Sequence, residues 1–395
     1  MWVQLGVILL GLLCSRLLFY RLPLLKKPAV DPPGVRLSVI IPARNEEKTL
    51  PLLLADLKNS TLAPLEIICV DDASTDGTAQ AIRSTPGVTL VSAGQRPAGW
   101  LGKAWACKQG AAVATGDLLL FLDADVRLAP DALGALVAAY AVRPGVLSVQ
   151  PYHVTYRWYE QLSMIFNLVQ VAANGVATAF ATRHAGLFGP VIFIPRTAYD
   201  AIGGHAAAKN SIVDDLALGQ ALQQKGIPYR LLLGGQQISF RMYGAGLRAL
   251  LQGWTKNYAT GALQTPPALL LTTFLWVSGC TSAVLYLIAA LLPQSGVPLP
   301  LAAAVYLLWA AELFRLTRPL GKFRFAAVLL YPVPLAVFLA VFLVSLQKKL
   351  TQQHNKYDQL CNLGFFHRLP FQCDSPLHSK MGLTVDTIAF IVTQK

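Results

Sequence analysis

Four clusters of acidic and polar residues fall where side chains could do chemistry. They are Ile41-Pro42-Ala43-Arg44-Asn45-Glu46-Glu47, Val70-Asp71-Asp72-Ala73-Ser74-Thr75-Asp76-Gly77, Phe121-Leu122-Asp123-Ala124-Asp125 and Val213-Asp214-Asp215-Leu216. The first three follow apolar runs that read as strands. Charges directly after a buried strand are costly unless they meet a cation or hydrogen-bond donors. Asp71 and Asp72 could accept bonds from a base N–H or a ribose hydroxyl; capping is the simpler role for Ser74 and Asp76. Asp123 and Asp125 would share a face in a continuing strand, whereas a turn would send one toward a ribose and the other toward a metal. Carboxylates suit Mg²⁺ or Mn²⁺ bridged to diphosphate oxygens. Asp214 and Asp215 repel, so one keeps a raised pKa unless a cation is near, as a general base requires. The first cluster, taken alone, is a helix start with Asn45 as cap and acids in the first turn.

Downstream, Gln252-Gly253-Trp254-Thr255-Lys256-Asn257 offers an amide, an aromatic ring and an ammonium. An interfacial Trp and Lys beside a membrane would have the same composition.

The elements that must position these residues alternate. Strands are expected at Leu37–Ile41, Leu65–Val70, Val88–Val91 and Leu118–Leu122, with helices at Glu46–Lys58, Thr75–Ser84, Lys103–Ala114 and near Pro130–Ala141. This order predicts an α/β fold with a mainly parallel, right-handed wound sheet, whose ligands bind beyond the carboxyl ends of the strands. Further on, Trp158–Phe180 reads as one long helix, Val191–Ile194 as a strand and Asp214–Lys225 as a helix. The Cys residues show neither CxxC nor Cys/His metal spacing and read as buried free thiols.

Hydrophobic residues make up 54% and charged residues 13% of the 395-residue chain, and the deficit of charge is local. No Lys, Arg, Asp or Glu lies between Asn257 and Glu312. Residues 1–27 read as a membrane anchor, because no small-residue cleavage site closes the apolar run. Asp31-Pro32-Pro33-Gly34 reads as a stiff linker, and 36–262 as the catalytic unit. Residues 267–346 hold apolar segments at 267–292, 299–313 and 325–346, the second short for a span and the third interrupted by Pro332 and Pro334. Residues 347–395 form a tail without periodicity. The formal charge of +13 gathers beside the apolar stretches, at Arg16, Arg21, Lys26 and Lys27, then Arg315, Arg318, Lys322 and Arg324. That placement suits anionic headgroups rather than nucleic acid. It predicts a multi-pass protein of the cell membrane with its catalytic unit in the cytoplasm.

Taken in order, the clusters resemble the family-2 glycosyltransferases with a GT-A fold, over roughly residues 36–260. Within that family the chain is similar to membrane-bound enzymes with hydrophobic acceptors, such as those that glycosylate diaponeurosporenoate (a carotenoid acid) or ceramide. Gly99-Trp100-Leu101-Gly102-Lys103-Ala104-Trp105 and Gly203-Gly204-His205 add to the carotenoid-type likeness. The resemblance implies that Ala43 and Glu46 line a nucleoside pocket and that Asp72 contacts the base. It implies Lys103 near the nucleotide, Asp123 near the ribose, Asp125 on a divalent metal (Mg or Mn), and Asp215 as base beside Asp214. Gln252, Trp254 and Lys256 match a Gln/Arg-x-x-Arg-Trp motif of donor-binding residues only loosely, because no Arg precedes Trp254. This departure leaves the diphosphate and acceptor contacts open and argues against a processive polymerase. The tail departs from the family's short basic ending.

The implied activity is inverting transfer from a nucleotide-sugar, expected as a UDP-sugar, to a lipid-like acceptor such as a carotenoid acid. The alternative from another class is a non-catalytic sugar-nucleotide-binding subunit of a membrane complex, against which the Asp125 and Asp215 set argues. A transporter is disfavoured because the apolar segments carry almost no central polar residues.

Overall fold

The computed structural model describes residues 2–28, 34–211, 213–293 and 295–362. Helix α1 (Trp2–Leu18) leads into β1 (Leu37–Ala43), α2 (Leu50–Lys58), β2 (Glu66–Asp71), α3 (Thr78–Arg83) and β3 (Val88–Ser92). Then come α4 (Gly102–Val113), β4 (Leu118–Leu122), β5 (Val126–Leu128), α5 (Ala132–Val142), β6 (Val146–Gln150) and β7 (Tyr152–His153). A 3-10 turn (Trp158–Ser163) precedes α6 (Met164–Ala173), β8 (Val191–Pro195) and α7 (Arg196–Ala201). A second 3-10 turn (Gly204–Ala208) precedes α8 (Asp214–Gln224), β9 (Tyr229–Leu233) and β10 (Ile238–Phe240). The remainder is helical: α9 (Leu247–Gln264), α10 (Pro267–Ala290), α11 (Leu299–Thr317), α12 (Phe325–Leu329) and α13 (Pro332–Asn362).

Seven strands form one sheet in the order β3-β2-β1-β4-β8-β6-β9, and β5-β10-β7 form a smaller one. All pairings in the large sheet are parallel except those of β8, which runs antiparallel to both β4 and β6. The reason is visible in β4, whose Leu-Leu-Leu-Phe-Leu run is buried throughout. Leu118, Leu120 and Leu122 pack with α2 and α5 on one side, while Leu119 and Phe121 pack with α4 and α8 on the other. A strand covered on both faces reads as a continuous apolar run. Parallel register pairs Ala43 with Asp71, so the loops after β1 and β2 open at one edge.

The expected helix at Glu46–Lys58 begins only at Leu50. Asn45 does not cap it: this residue has φ +59°, and its Oδ1 accepts the Thr75 N–H at 2.8 Å. Bonds to the neighbouring loop compete here with helix formation. The long helix expected over Trp158–Phe180 is likewise shorter, a 3-10 turn followed by α6, which ends at Ala173. Of the Asp31–Gly34 linker, residues 31–33 lie outside the described residues.

A second core joins α1 to α6 and α9–α13. Helix α1 crosses α10 where Gly11 meets Gly279: a Cβ on either would sit 2.7 Å from the other's Cα. Ser15 Oγ donates to Glu312 Oε1 at 2.7 Å, and Arg315 pairs with the same carboxylate. Helix α11 runs past the segment expected to end at 313, to Thr317, giving 19 residues. Both α10 and α11 are long and apolar enough to cross a membrane. The third segment divides: α12 ends at Leu329, and α13 restarts at Pro332, where a missing N–H costs nothing in a first turn. Helix α13 runs on to Asn362, so the first part of the expected tail is helical; residues 363–395 lie outside the described residues.

Candidate active site

The acid clusters meet at the carboxyl edge of β1, β2 and β4. The Asp72 N–H donates to Ala43 O at 2.9 Å, closing the β1 and β2 ends together. Asp71 is occupied locally, accepting the Ser74 N–H at 3.2 Å, and Asp72 faces Arg44 and the start of α4. Its carboxylate is nearly buried, with Arg44 Nη1 3.5 Å away. Gly102 at the start of α4 lies against it: a Cβ there would be 2.2 Å from Asp72 Oδ2. Only glycine lets α4 approach so closely, and that approach brings the helix's positive end to the cleft. Glu46 donates its N–H to Thr78 Oγ1 at 2.7 Å and accepts the Thr49 hydroxyl with its carboxylate.

Lys103, one residue into α4, reaches across to Asp123 Oδ1 at 2.6 Å. Its Nζ also lies 3.5 Å from Gly189 O. Burial works against the ammonium, yet the Asp123 and Asp214 charges hold its pKa well above the ordinary value. Burial pushes Asp123 upward, opposed by Lys103. The short contact, with 27% of the Asp123 side chain open to water, argues for the ionised pair.

After Asp123 the chain turns, with Val126 N–H bonded to Asp123 O at 3.1 Å. The turn separates the two acids, as one of the two sequence readings required. Asp125 is pushed up to about 7 by burial first, then by Asp123 and Glu46. Asp215 begins α8 beside Asp214. Its carboxylate accepts the Gly189 N–H at 2.8 Å and the Leu216 N–H at 2.9 Å. Burial and the Asp214 charge nonetheless raise its pKa, against Lys103.

Lys103, Asp123, Asp125, Asp214 and Asp215 are thus brought together, with Glu46 near enough to act on Asp125. Trp254 lies on α9. It is buried, stacks on Phe166 at 4.9 Å and 13°, and donates its Nε1–H to Ser163 Oγ at 3.2 Å. Gln252 and Lys256 stand exposed on α9. His205 is a core residue too: its Nδ1 lies 2.9 Å from the Tyr199 hydroxyl, and burial pushes it down to about 4.

Sequence reasoning missed Tyr243. Burial first, and Asp125 second, raise its phenol, and its ring meets Trp254 edge-on at 5.5 Å. It packs on α9, against Trp254 and Gly253. It also missed Gly189, whose N–H and C=O serve Asp215 and Lys103. Neither residue carries a motif. Arg241, two residues before Tyr243, is fixed by Glu160 Oε1 at 2.9 and 2.7 Å.

The donor set fits a divalent ion bound in part by its ligand. Among the described residues, no three His, Cys, Asp or Glu side chains gather closely enough to form a cage. Mg²⁺ and similar ions need only one or two carboxylates when phosphates complete the shell. Asp125, whose ionisation is unfavourable as it stands, is the carboxylate that such an ion would favour.

The profile described as Glycosyl transferase family 2 matches residues 38–194, and that of Glycosyl transferase family group 2 matches residues 118–344. The 4,4'-diaponeurosporenoate glycosyltransferase of Staphylococcus aureus (strain USA300) is 35% identical over 347 residues, 86% of this chain and 91% of that protein. Its counterpart from strain MRSA252 is 36% identical over 348 residues, with 86% and 91% covered. Among solved structures, the mannosyltransferase PcManGT from Pyrobaculum calidifontis, in complex with GDP-Man and Mn²⁺, superposes with a TM-score of 0.52 at 21% identity. That match covers 88% of this chain and 96% of the other, and it concerns the fold alone. The wound sheet, with its reversed β8, is a GT-A fold. The chain belongs to the family-2 glycosyltransferases.

Proposed function

We propose that this glycosyltransferase moves a sugar from a nucleotide-sugar, in the first instance a UDP-sugar, to a hydrophobic acceptor with inversion at the anomeric carbon. The observation that carries the reading is the placement of Asp215. Two backbone N–H groups aim its carboxylate, and its raised pKa lets it take a proton near neutral pH. It removes the acceptor hydroxyl's proton while the acceptor oxygen attacks the anomeric carbon. The new C–O bond forms on the face opposite the nucleoside diphosphate, whose bond to that carbon breaks. Lys103 lies close enough to this acid to stabilise the departing diphosphate. Asp72 and Ala43 hold the nucleoside, Asp123 orients the ribose, and Asp125 holds a divalent ion. Such an ion, when bound, neutralises diphosphate charge.

The name of the S. aureus relative favours a carotenoid acid as acceptor. A carboxylate is already ionised, so Asp215 would then orient the nucleophile rather than deprotonate it, and the product is a glycosyl ester.

A membrane location is supported by α10 and α11, which expose Leu270, Leu271, Phe274, Leu307 and Leu308. The loop joining α11 to α12 returns to the catalytic unit, with His153 N–H bonded to Leu320 O and Lys322 N–H to His153 O. Arg318, Lys322 and Arg324 therefore share a side with the acid cleft, which the positive-inside rule assigns to the cytoplasm. The test of the reaction is product stereochemistry. Purified protein, supplied with an α-linked UDP-sugar and a long-chain acceptor, should give the β-glycoside by NMR. An α-product would rule out direct displacement.

A further inference from the structure

The segment after α11 goes down that helix and comes back. It starts on the catalytic side, where the loop at Leu320 and Lys322 bonds to the His153 backbone. Helix α12 then follows α11 away from the catalytic unit. Phe325 meets Phe314 edge-on at 5.6 Å. Further along, the Tyr306 hydroxyl donates to Leu329 O, and the Tyr331 ring stacks on that of Tyr306 at 4.9 Å. Tyr306 lies about 16 Å along α11 from Thr317, at 1.5 Å per residue. That is half the depth of a hydrocarbon layer of about 30 Å.

Helix α13 reverses the path. Phe338 meets Phe166, in the first turn of α6, at 5.3 Å, and Ser345 Oγ donates to Thr255 O of α9 at 2.7 Å. From Pro332 to Ser345 the helix is about 20 Å long, enough to climb out from that depth. The level it regains is set by α9, which ends just before α10 begins. Helix α9 exposes Arg248, Gln252 and Lys256, side chains that are costly in hydrocarbon.

Irregular backbone at membrane depth must find its partners within the protein. The turn between α12 and α13 does so. The N–H groups of Leu330, Tyr331, Val333 and Leu335 donate to the carbonyls of Ala326, Val328, Leu330 and Tyr331. Pro332 and Pro334 have no N–H to satisfy. Tyr306 serves the Leu329 carbonyl where α12 stops.

We propose that α12 and α13 form a re-entrant hairpin, which enters and leaves the bilayer on the catalytic side. Its partner is the lipid of that one leaflet. The contact is made by Val333, Ala336, Ala340, Leu343 and Val344, which recur every three or four residues on the exposed side of α13. Lys348, exposed just beyond this stripe, falls among the headgroups. The inference rests on α10 and α11 crossing the membrane, and it returns the chain at Lys348 to the side of the acid cleft.

Cysteine labelling of the full chain tests it, in a background carrying Cys361→Ser and Cys373→Ser; Cys14, Cys69, Cys107 and Cys280 are buried. The reporters are Lys58→Cys on the catalytic unit, Ser295→Cys between α10 and α11, and Lys348→Cys, all at exposed positions. An impermeant maleimide should label only Ser295→Cys in intact cells, and only the other two in inverted vesicles. A nitroxide on Val333→Cys in nanodiscs should be relaxed more by oxygen, which concentrates in hydrocarbon, than by a water-soluble nickel chelate. Lys348→Cys labelled from outside, with Lys58→Cys inside, overturns the hairpin and makes α13 a span. Nickel relaxation exceeding that by oxygen at Val333→Cys also overturns it, leaving α13 on the membrane surface. Ser295→Cys and Lys58→Cys labelled from the same side overturn the crossing of α10 and α11, and the hairpin with it.

Discussion

Replacing Asp215 by Asn tests the base assignment, and the structure says what else the change does. The carboxylate accepts two backbone N–H groups, from Gly189 on one oxygen and Leu216 on the other. An amide has one oxygen, so one of those buried donors would face an NH₂ group. Leaving a buried donor unmade costs about 1–3 kcal/mol, and each kcal/mol lowers Tm by about 2–4 °C in a domain of this size. Against a stability of about 5–15 kcal/mol, that loss leaves the chain folded at assay temperature. Removing a general base costs about 10²–10⁴-fold in rate, far beyond what partial unfolding supplies. The assay is initial-rate transfer to a hydroxyl acceptor at saturating donor, with nucleotide affinity measured in parallel. Asp214→Asn is the comparison: its charge acts on Asp215 and Lys103 without these bonds, so a milder loss is expected. Retained transfer to a carboxylate acceptor, with loss toward alcohols, would match a carotenoid-acid substrate. Equal activity of Asp215→Asn and parent toward every acceptor, at matched expression, would refute the reasoning.

Three further outcomes follow from named contacts. Asp125 is raised to about 7 from an ordinary 3.8. The folded state thus holds a proton that the unfolded chain has lost, and metal-free stability should fall as pH rises from about 4 to 7. Asp215 is raised in the same direction, so Asp125→Asn should lessen that slope in thermal melts without removing it, and should abolish the Mn²⁺ dependence of nucleoside diphosphate binding by calorimetry; an unchanged slope would place the buried charge elsewhere. Gly102→Ala pushes a methyl onto Asp72, and the displacement costs about 1–3 kcal/mol; calorimetry should show weakened nucleotide affinity, with Tm lower by about 2–12 °C. Trp254→Ala should cost about 3–5 kcal/mol of stability as a large buried ring is lost, whereas Gln252→Ala on the same helix should leave Tm near the parent value.

The sheet was legible where strands are buried on both faces. β4 matches its expected span, and β1, β2 and β8 differ from theirs by a residue or two, because apolar runs leave little choice of element; β3, a half-exposed edge strand, is as close on its Val-Thr-Leu-Val run alone. β5, β7 and β10 have two or three residues, too few for any period to show. β9 hides behind Arg230, which reads as surface yet donates to Ala139 O and Arg143 O. The acid clusters were legible because charge after an apolar run has few structural uses. What joins them was not. Lys103 lies 20 residues before Asp123, and the Gly189 backbone that ties Lys103 to Asp215 has no side chain to betray it. Trp254 shows what local reading leaves out, since an aromatic near Lys in a polar run resembles a binding motif, while its packing on Phe166 and Tyr243 appears only in the fold. Docking of α1 depends on the Gly11–Gly279 contact, which hydropathy cannot register.

The central claim is catalytic sugar transfer to a hydrophobic acceptor, and radiolabelled transfer tests it most directly. Purified full-length protein in phospholipid nanodiscs, given labelled UDP- and GDP-sugars in turn with Mn²⁺ and long-chain carboxylic acid or alcohol acceptors, should move label into an organic-extractable product with at least one pair. That transfer should vanish in Asp125→Ala. Tight nucleotide-sugar binding with no labelled product from any donor and acceptor pair would contradict the account and favour a non-catalytic subunit.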